Sequence, residues 1–231
     1  RKQPKPHETI LMKHKNLLSF LALIVFLFAS VSLHAAKPNF IIIFADDQGY
    51  GDLGCTGNPV IKTPHTDKLA NESVWLSDYH VAPTCSPSRS ALVTGHWTNR
   101  TGVWHTIMGR SMLRANEVTI GQMLKDNGYE TGMFGKWHMG GSTDQPRPGF
   151  DHWVSFRGQG TYLPSRNGLN VNGKKVPQKG YITDELTDYA VDWLRSRKRD
   201  KPFFMYLSHK AVHAQFTPAE RHRGTYAGAK V

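Results

Sequence analysis

Asn39-Phe40-Ile41-Ile42-Ile43-Phe44-Ala45-Asp46-Asp47 decides the fold of this chain. A continuous apolar run rich in Ile and Phe is the pattern of a strand covered on both faces, as in a parallel or mixed sheet. It ends abruptly in two carboxylates. Neighbouring side chains on a strand point to opposite faces, but Gly49 and Gly51 allow the chain to turn and bring Asp46 and Asp47 toward one ion. Hard oxygen ligands of this kind suit Ca²⁺ or Mg²⁺. An acidic turn facing water is the alternative.

The same pattern recurs further along. Tyr129 to Phe134 reads as a strand that delivers Gly135-Lys136-Trp137-His138-Met139-Gly140, and Phe203 to Leu207 as a buried strand that delivers Ser208-His209-Lys210-Ala211-Val212-His213. Helices fall between them. Thr63-Pro64 opens one that runs through Leu69-Ala70 by the cap-then-proline rule. Thr119 and Gln122 form a capping-box pattern at the head of a second, which ends near Asn127-Gly128. A third runs from Thr183 to about Arg197 with Leu186, Tyr189, Ala190, Trp193 and Leu194 on one face, acids in its first turn and bases at its close. Ser73 to Tyr79 reads as extended chain leading toward Cys85. Gly158 to Lys179, rich in Gly, Asn and Pro, reads as a surface excursion lining a substrate entrance. Strands alternating with helices, each strand followed by polar residues, give an α/β fold with a mixed, mostly parallel sheet flanked by helices. In such folds the site lies beyond the strands' carboxyl ends.

Cys85-Ser86-Pro87-Ser88-Arg89, continued by Ser90-Ala91-Leu92-Val93-Thr94-Gly95, puts a thiol at the mouth of a helix. With Ser86 as N-cap and Pro87 as the first helical residue, Cys85 stands just ahead of unpaired N–H groups and the positive end of the helix dipole. Arg89 adds a permanent cation one turn in. The ligand such a place favours is a tetrahedral oxyanion, sulfate or phosphate, with Cys85 as the reacting group. A packed, inert thiol is the competing reading. Cys55 reads as a small packed residue, and a Cys55–Cys85 disulfide would consume the one thiol that can be activated, so no bridge is expected.

C-S-P-S-R followed by S-A-L-V-T-G resembles the signature of the type I, formylglycine-dependent sulfatases of the alkaline phosphatase superfamily. Ala45 to Asp52, A-D-D-Q-G-Y-G-D, is similar to that family's first metal-binding segment, and G-K-W-H-M-G to its second signature. The resemblance spans nearly everything from Lys37 onward, in the family's order. It implies an alkaline-phosphatase-like fold and hydrolysis of sulfate esters, with Cys85 as the precursor of formylglycine. It further implies catalytic roles for Cys85, Arg89 and His138, sulfate binding by Lys136 and His213, and a divalent metal, Ca²⁺ or Mg²⁺, on Asp46, Asp47 and the modified position 85. His209 is the other choice for the sulfate-binding histidine, because Gln215 stands where the family usually has proline. The implied partners are a sulfated small molecule or sulfated carbohydrate and a formylglycine-generating or equivalent maturation enzyme. The family completes its metal site with an Asp-Asn pair and a second lysine beyond Val231, so residues 37–231 are expected to be the N-terminal portion of a catalytic domain, with a partial metal shell and exposed sheet edges, inactive alone.

The 231 residues, 39% of them hydrophobic, suffice for one domain with a real core. The net charge of +11 suggests a polyanion binder until it is partitioned: residues 1–37 hold six of the cations against the single Glu8. The remaining surplus suits an anionic small substrate rather than nucleic acid. Residues 12–36, a short basic start, an uncharged run and His34-Ala35-Ala36, read as a secretory signal peptide, giving an exported protein, periplasmic or extracellular. An uncleaved leader is the only expected tie to a membrane. Residues 1–11 read as a spurious upstream extension. Two rival functions remain: a phosphate monoester or phosphonate hydrolase of the same superfamily, and a non-catalytic polyanion-binding protein.

Overall fold

The computed structural model describes residues 36–107 and 109–230, and the leader reading lies outside them. A single sheet organises the unit from Pro38 to Val231. Its strands are β1 (Phe40–Phe44), β2 (Glu130–Gly135), β3 (His152–Ser155), β4 (Leu169–Val171), β5 (Lys174–Val176) and β6 (Phe203–Ser208), in the spatial order β1-β6-β2-β3-β4-β5. The first four of these neighbours run parallel, and β4 and β5 add an antiparallel flank. The sheet is therefore mixed and mostly parallel, with helices α1 (Pro64–Asn71), α2 (Cys85–Thr94), α3 (Thr98–Thr101), α4 (Ile120–Asp126) and α5 (Ile182–Ser196) in the connections.

β6 is buried along its whole length. Its alternation divides the core: Phe203, Met205 and Leu207 pack with Leu186, Ala190 and Trp193 of α5, whereas Phe204 and Tyr206 pack on the other side with Met133, Phe150 and Trp153. α5 forms where the apolar spacing requires, with Asp184 and Glu185 in its first turn. α4 begins at Thr119, whose side chain accepts from the Gln122 backbone N–H while Gln122 reaches back to the Thr119 N–H, the capping box expected there.

Four sequence expectations need correction. β1 is not covered on both faces, since Phe40, Ile41 and Ile43 are 41%, 50% and 65% exposed, and among the described residues it is an edge strand paired with β6. Ser73 to Tyr79 is not a strand but an exposed, irregular connection. The stretch from Gly158 to Lys179 is not only a surface excursion, since it contains the β4–β5 hairpin that extends the sheet past β3, itself a strand the pattern did not disclose. Three- and four-residue strands carry too few alternations to read. Finally, α2 starts at Cys85, with Thr84 in the N-cap place at φ −137° and ψ 163°. Ser86 is therefore inside the helix, not its cap. Proline is tolerated anywhere in the first turn, where no intrahelical N–H bond is made, so Pro87 does not mark the first residue uniquely.

What matters for the site is register. Phe44 pairs with Ser208, Ser208 with Gly135, and Gly135 with Ser155, so four strands end on one line. Gly135 sits at φ 116°, and a Cβ there would lie 1.9 Å from the Ser208 carbonyl oxygen, so the close approach of β2 and β6 requires glycine.

Candidate active site

Every sequence-selected polar residue except those of α2 lies just past that line of strand ends. Beyond β1 the chain is held by Asp46 N–H donating to the Ala211 carbonyl at 2.8 Å and Val212 N–H donating to the Asp46 carbonyl at 2.7 Å. This lays the β6 loop against the Asp pair. Asp47 then takes a left-handed φ of 59°, which turns it from the strand direction.

Asp46 is 2% exposed and lies between two fully buried cations. Arg89 Nη2 donates to its Oδ1 at 2.9 Å, and Lys136 Nζ donates to its Oδ2. Burial pulls the Asp46 carboxyl upward, but Arg89 and Lys136 together hold it below the usual carboxylate range. Burial lowers Lys136, opposed by Asp46 and reinforced by Arg89. Arg89 also donates through Nη1 to the Lys136 carbonyl at 2.9 Å and to Ser208 Oγ, and its guanidinium lies 5.2 Å from the centre of the Phe44 ring. Ser208 Oγ in turn donates to the Lys136 carbonyl at 2.8 Å. Arg89 is thus a buried strut beneath the site, its two Nη groups committed to protein partners and its buried Nε without one among the described residues.

Cys85 is a free thiol and the first residue of α2. Its Sγ lies 3.3 Å from His138 Nδ1, and Ser86 Oγ donates to the His138 carbonyl at 2.7 Å. His138 adopts φ 57°, so this strained turn is pinned from the helix. Burial, with Lys136 and Arg89 close by, pushes its imidazole down to about 3, so it is neutral near pH 7. His213 Nδ1 donates to the Ala214 carbonyl at 2.7 Å, which leaves Nε2 facing Asp47 Oδ2 at 3.6 Å. The Nδ1 of His209, the other choice, is sealed from solvent with no hydrogen-bond partner among the described residues.

Cys85, Asp46 and Asp47 line one cavity of about 540 Å³ together with Gln48, Thr84 and Ser88. The structure thus gathers the sequence-selected residues in three linked contacts: Arg89–Asp46–Lys136, Cys85–His138 and Asp47–His213. Four further residues were not foreseen. Ser208 ties Arg89 to Lys136, Gln159 Oε1 accepts from Lys136 Nζ, Tyr162 donates its hydroxyl to the His213 carbonyl at 2.5 Å, and buried Lys210 donates to the Ala214 carbonyl at 3.2 Å. The only signal for Ser208 was its position as the last residue of an otherwise apolar strand.

Asp46 and Asp47 fit a hard divalent cation in donor type. They fill only part of its shell, and among the described residues no group of three or more His, Cys, Asp or Glu side chains converges as a metal site. A thiol at position 85 is a poor ligand for such an ion; an oxygen there matches it.

Residues 38–230 match the protein-family model described as Sulfatase. The chain is 34% identical over 194 residues to the N-acetylglucosamine-6-O-sulfatase of Bacteroides thetaiotaomicron, covering 82% of this chain and 33% of that protein. It is 32% identical to human arylsulfatase A, covering 79% of this chain and 43% of the relative. It therefore spans less than half the length of these curated relatives. Among solved structures, a complex with its substrate D-glucosamine-2-N,6-O-disulfate superposes with a TM-score of 0.75 at 33% identity, over 84% of this chain and 38% of the other. A second, bound to a neocarrahexaose, gives 0.76 at 34% identity over 84% and 49%.

Proposed function

The chain belongs to the sulfatase family, and from that premise we propose that it forms the nucleophile-bearing part of a site that hydrolyses sulfate esters of carbohydrates. The observation that carries this reading is Cys85 at the first position of α2, in one cavity with Asp46 and Asp47 and 3.3 Å from a neutral His138. The first turn of α2 offers backbone N–H groups and a positive dipole end to an oxyanion. Ser88 N–H already donates to the Thr84 carbonyl and Pro87 has none, so the Cys85 and Ser86 N–H groups are the ones free for it.

Oxidised to formylglycine and hydrated, position 85 supplies an oxygen nucleophile in place of sulfur, the modification the resemblance implies. Asp46 and Asp47 would hold Ca²⁺ or Mg²⁺, which supplies positive charge to sulfate oxygens. His138 Nδ1, neutral and 3.3 Å from the Cys85 Sγ, hydrogen-bonds the group at position 85 and orients it. Lys136 brings a fixed cation to the same end of the cavity, and Arg89 keeps Lys136 and Asp46 in place. His213, its Nδ1 engaged by Ala214, presents Nε2 to carry a proton to the departing alcohol. Sulfated carbohydrate is the supported substrate class because the two structural neighbours are bound to a sulfated sugar and a carrageenan-type oligosaccharide. The leader pattern at residues 12–36 supports an exported protein.

The test uses the full-length protein purified from its native host. Mass spectrometry of the peptide carrying position 85 is expected to show the aldehyde, and sulfate release from a sulfated sugar is expected to exceed phosphate release from the matching phosphate ester. An intact thiol with no sulfate release would refute the proposal, and preference for the phosphate ester would favour the phosphohydrolase.

A further inference from the structure

Gln159 stands at the apex of the loop after β3, at the same line of strand ends as the site. The loop is built to hold it there. Gly160 N–H donates to the Arg157 carbonyl at 3.2 Å, closing a turn, and the two flanking residues, Gly158 and Gly160, take φ values of 60° and 63°. A Cβ at Gly160 would meet the Phe156 ring at 2.6 Å, so the turn is also packed down onto the core. Its side chain reaches Lys136 Nζ, which donates to Oε1.

That contact fixes the orientation of the amide. An ammonium has three donors and no acceptor, so only the carbonyl end of glutamine can face it. The Nε2 group, with two N–H donors, is forced to the opposite side, and it has no hydrogen-bond partner among the described residues. Lys136 itself is fully buried and spends two of its three protons on Asp46 and Gln159, leaving one. A loop that fixes a glutamine by one end and leaves the other end as an unpaired donor, beside a lysine with one proton to give, suits a ligand rich in acceptor oxygens.

Resting on the sulfate-ester reading above, we infer that Gln159 has two tasks: its Oε1 positions Lys136, and its Nε2 donates to a sulfate oxygen of the substrate. The residue thereby selects an acceptor-only group next to Lys136.

Two substitutions in the full-length enzyme separate these tasks. Q159E keeps an acceptor for Lys136 but replaces the outward donors with a second acceptor. Q159M keeps the length and removes both. The readouts are KM and kcat on a sulfated sugar and the binding of inorganic sulfate, with melting temperature as the check on folding. Q159M is expected to weaken sulfate binding about tenfold, the worth of one hydrogen bond to a charged group. Q159E is expected to weaken it more, with KM rising in step, because its outward oxygen faces an anion. Q159E alone does not separate the two tasks, because its charge also offsets Lys136; if instead Q159M binds sulfate within about twofold of wild type, less than any hydrogen bond to a charged group is worth, the inference is overturned. A wild-type enzyme that neither binds sulfate nor cleaves sulfate esters sinks the functional reading, and this inference with it. An active wild type with unaffected variants sinks this inference alone.

Discussion

Two ion-pair sites in this molecule use the same chemistry to opposite ends. Beneath the cavity, Asp46 is shared by Arg89 and Lys136, all three shut away from water. On the surface, Arg221 grips Asp184 with two hydrogen bonds of 2.6 and 2.8 Å in a geometry that is, if anything, better formed. The buried cluster carries one net positive charge in a low-dielectric setting, and its members cannot be removed singly without leaving a charge uncompensated. The surface pair is screened and replaceable by water. The contrast teaches that burial, rather than hydrogen-bond geometry, decides what a pair is worth, and that the protein places its costly pair where an anion is to be bound.

The largest effect is therefore expected at Asp46. Asp46→Asn leaves Arg89 and Lys136 facing each other with no counter-charge, and breaking a buried pair in this way costs about 3–5 kcal/mol. Denaturant unfolding should show a loss of that size, together with loss of sulfate-ester turnover. A stable Asp46→Asn protein would mean that the cluster is held by packing and not by charge. The next effect is kinetic. Tyr162→Phe removes the hydroxyl that donates to the His213 carbonyl at 2.5 Å, at a stability cost of about 1 kcal/mol. Because Tyr162 steadies the loop carrying His213 without lining the cavity, kcat should fall while the melting temperature drops by only about 2–4 °C. Unchanged kcat would remove Tyr162 from the machinery.

The sequence disclosed these residues unevenly. Strand ends were readable at Phe44 and Leu207, because long apolar runs followed by polar clusters have one good interpretation in an α/β chain, and at Phe134 because a helix stop at Asn127-Gly128 precedes that stretch. The polar residues past those ends were chosen as neighbours from the strand-end rule, but the ion pairs of Asp46 were not foreseen. Asp46 reads as a metal ligand beside Asp47; it also contacts Arg89 and Lys136, 43 and 90 residues away, and no local pattern encodes such distances. Tyr162 and Gln159 were hidden for a related reason. They lie in a stretch whose Gly and Asn content marks turns, and a turn signal says nothing of which side chain the turn presents. The start of α2 was misplaced by two residues because Pro87 suits the third helical position as well as the first.

pH sharpens the comparison through a third kind of group, one that is buried but unpaired. Burial lowers His209 from its usual value of 6.5, and its Nδ1 has no partner. The unfolded chain binds the proton that the folded chain refuses. Stability from this residue is therefore complete above about pH 6.5 and is lost progressively as pH falls toward the lowered folded value. His209→Leu should flatten the decline of melting temperature between about pH 7 and 5, the span below the unfolded value, without altering the outcome at Asp46→Asn. An identical slope in the two proteins would show that acid sensitivity arises elsewhere.

The smallest effect belongs to the surface pair. Asp184 lies in the first turn of α5, where a carboxylate is already favoured by the helix dipole, and Arg221 holds it below the usual carboxylate range. Removing Arg221 leaves Asp184 in water with its dipole partner intact, so Arg221→Ala should shift the melting temperature less than Tyr162→Phe does. The difference should vanish at high salt, since the pair is exposed to screening. The buried Asp46 cluster offers salt no such access, and Asp46→Asn should remain as damaging at high ionic strength as at low. If instead both losses shrink together as salt is added, the cluster beneath the cavity is wetter than its burial indicates, and the distinction between the two sites is one of degree.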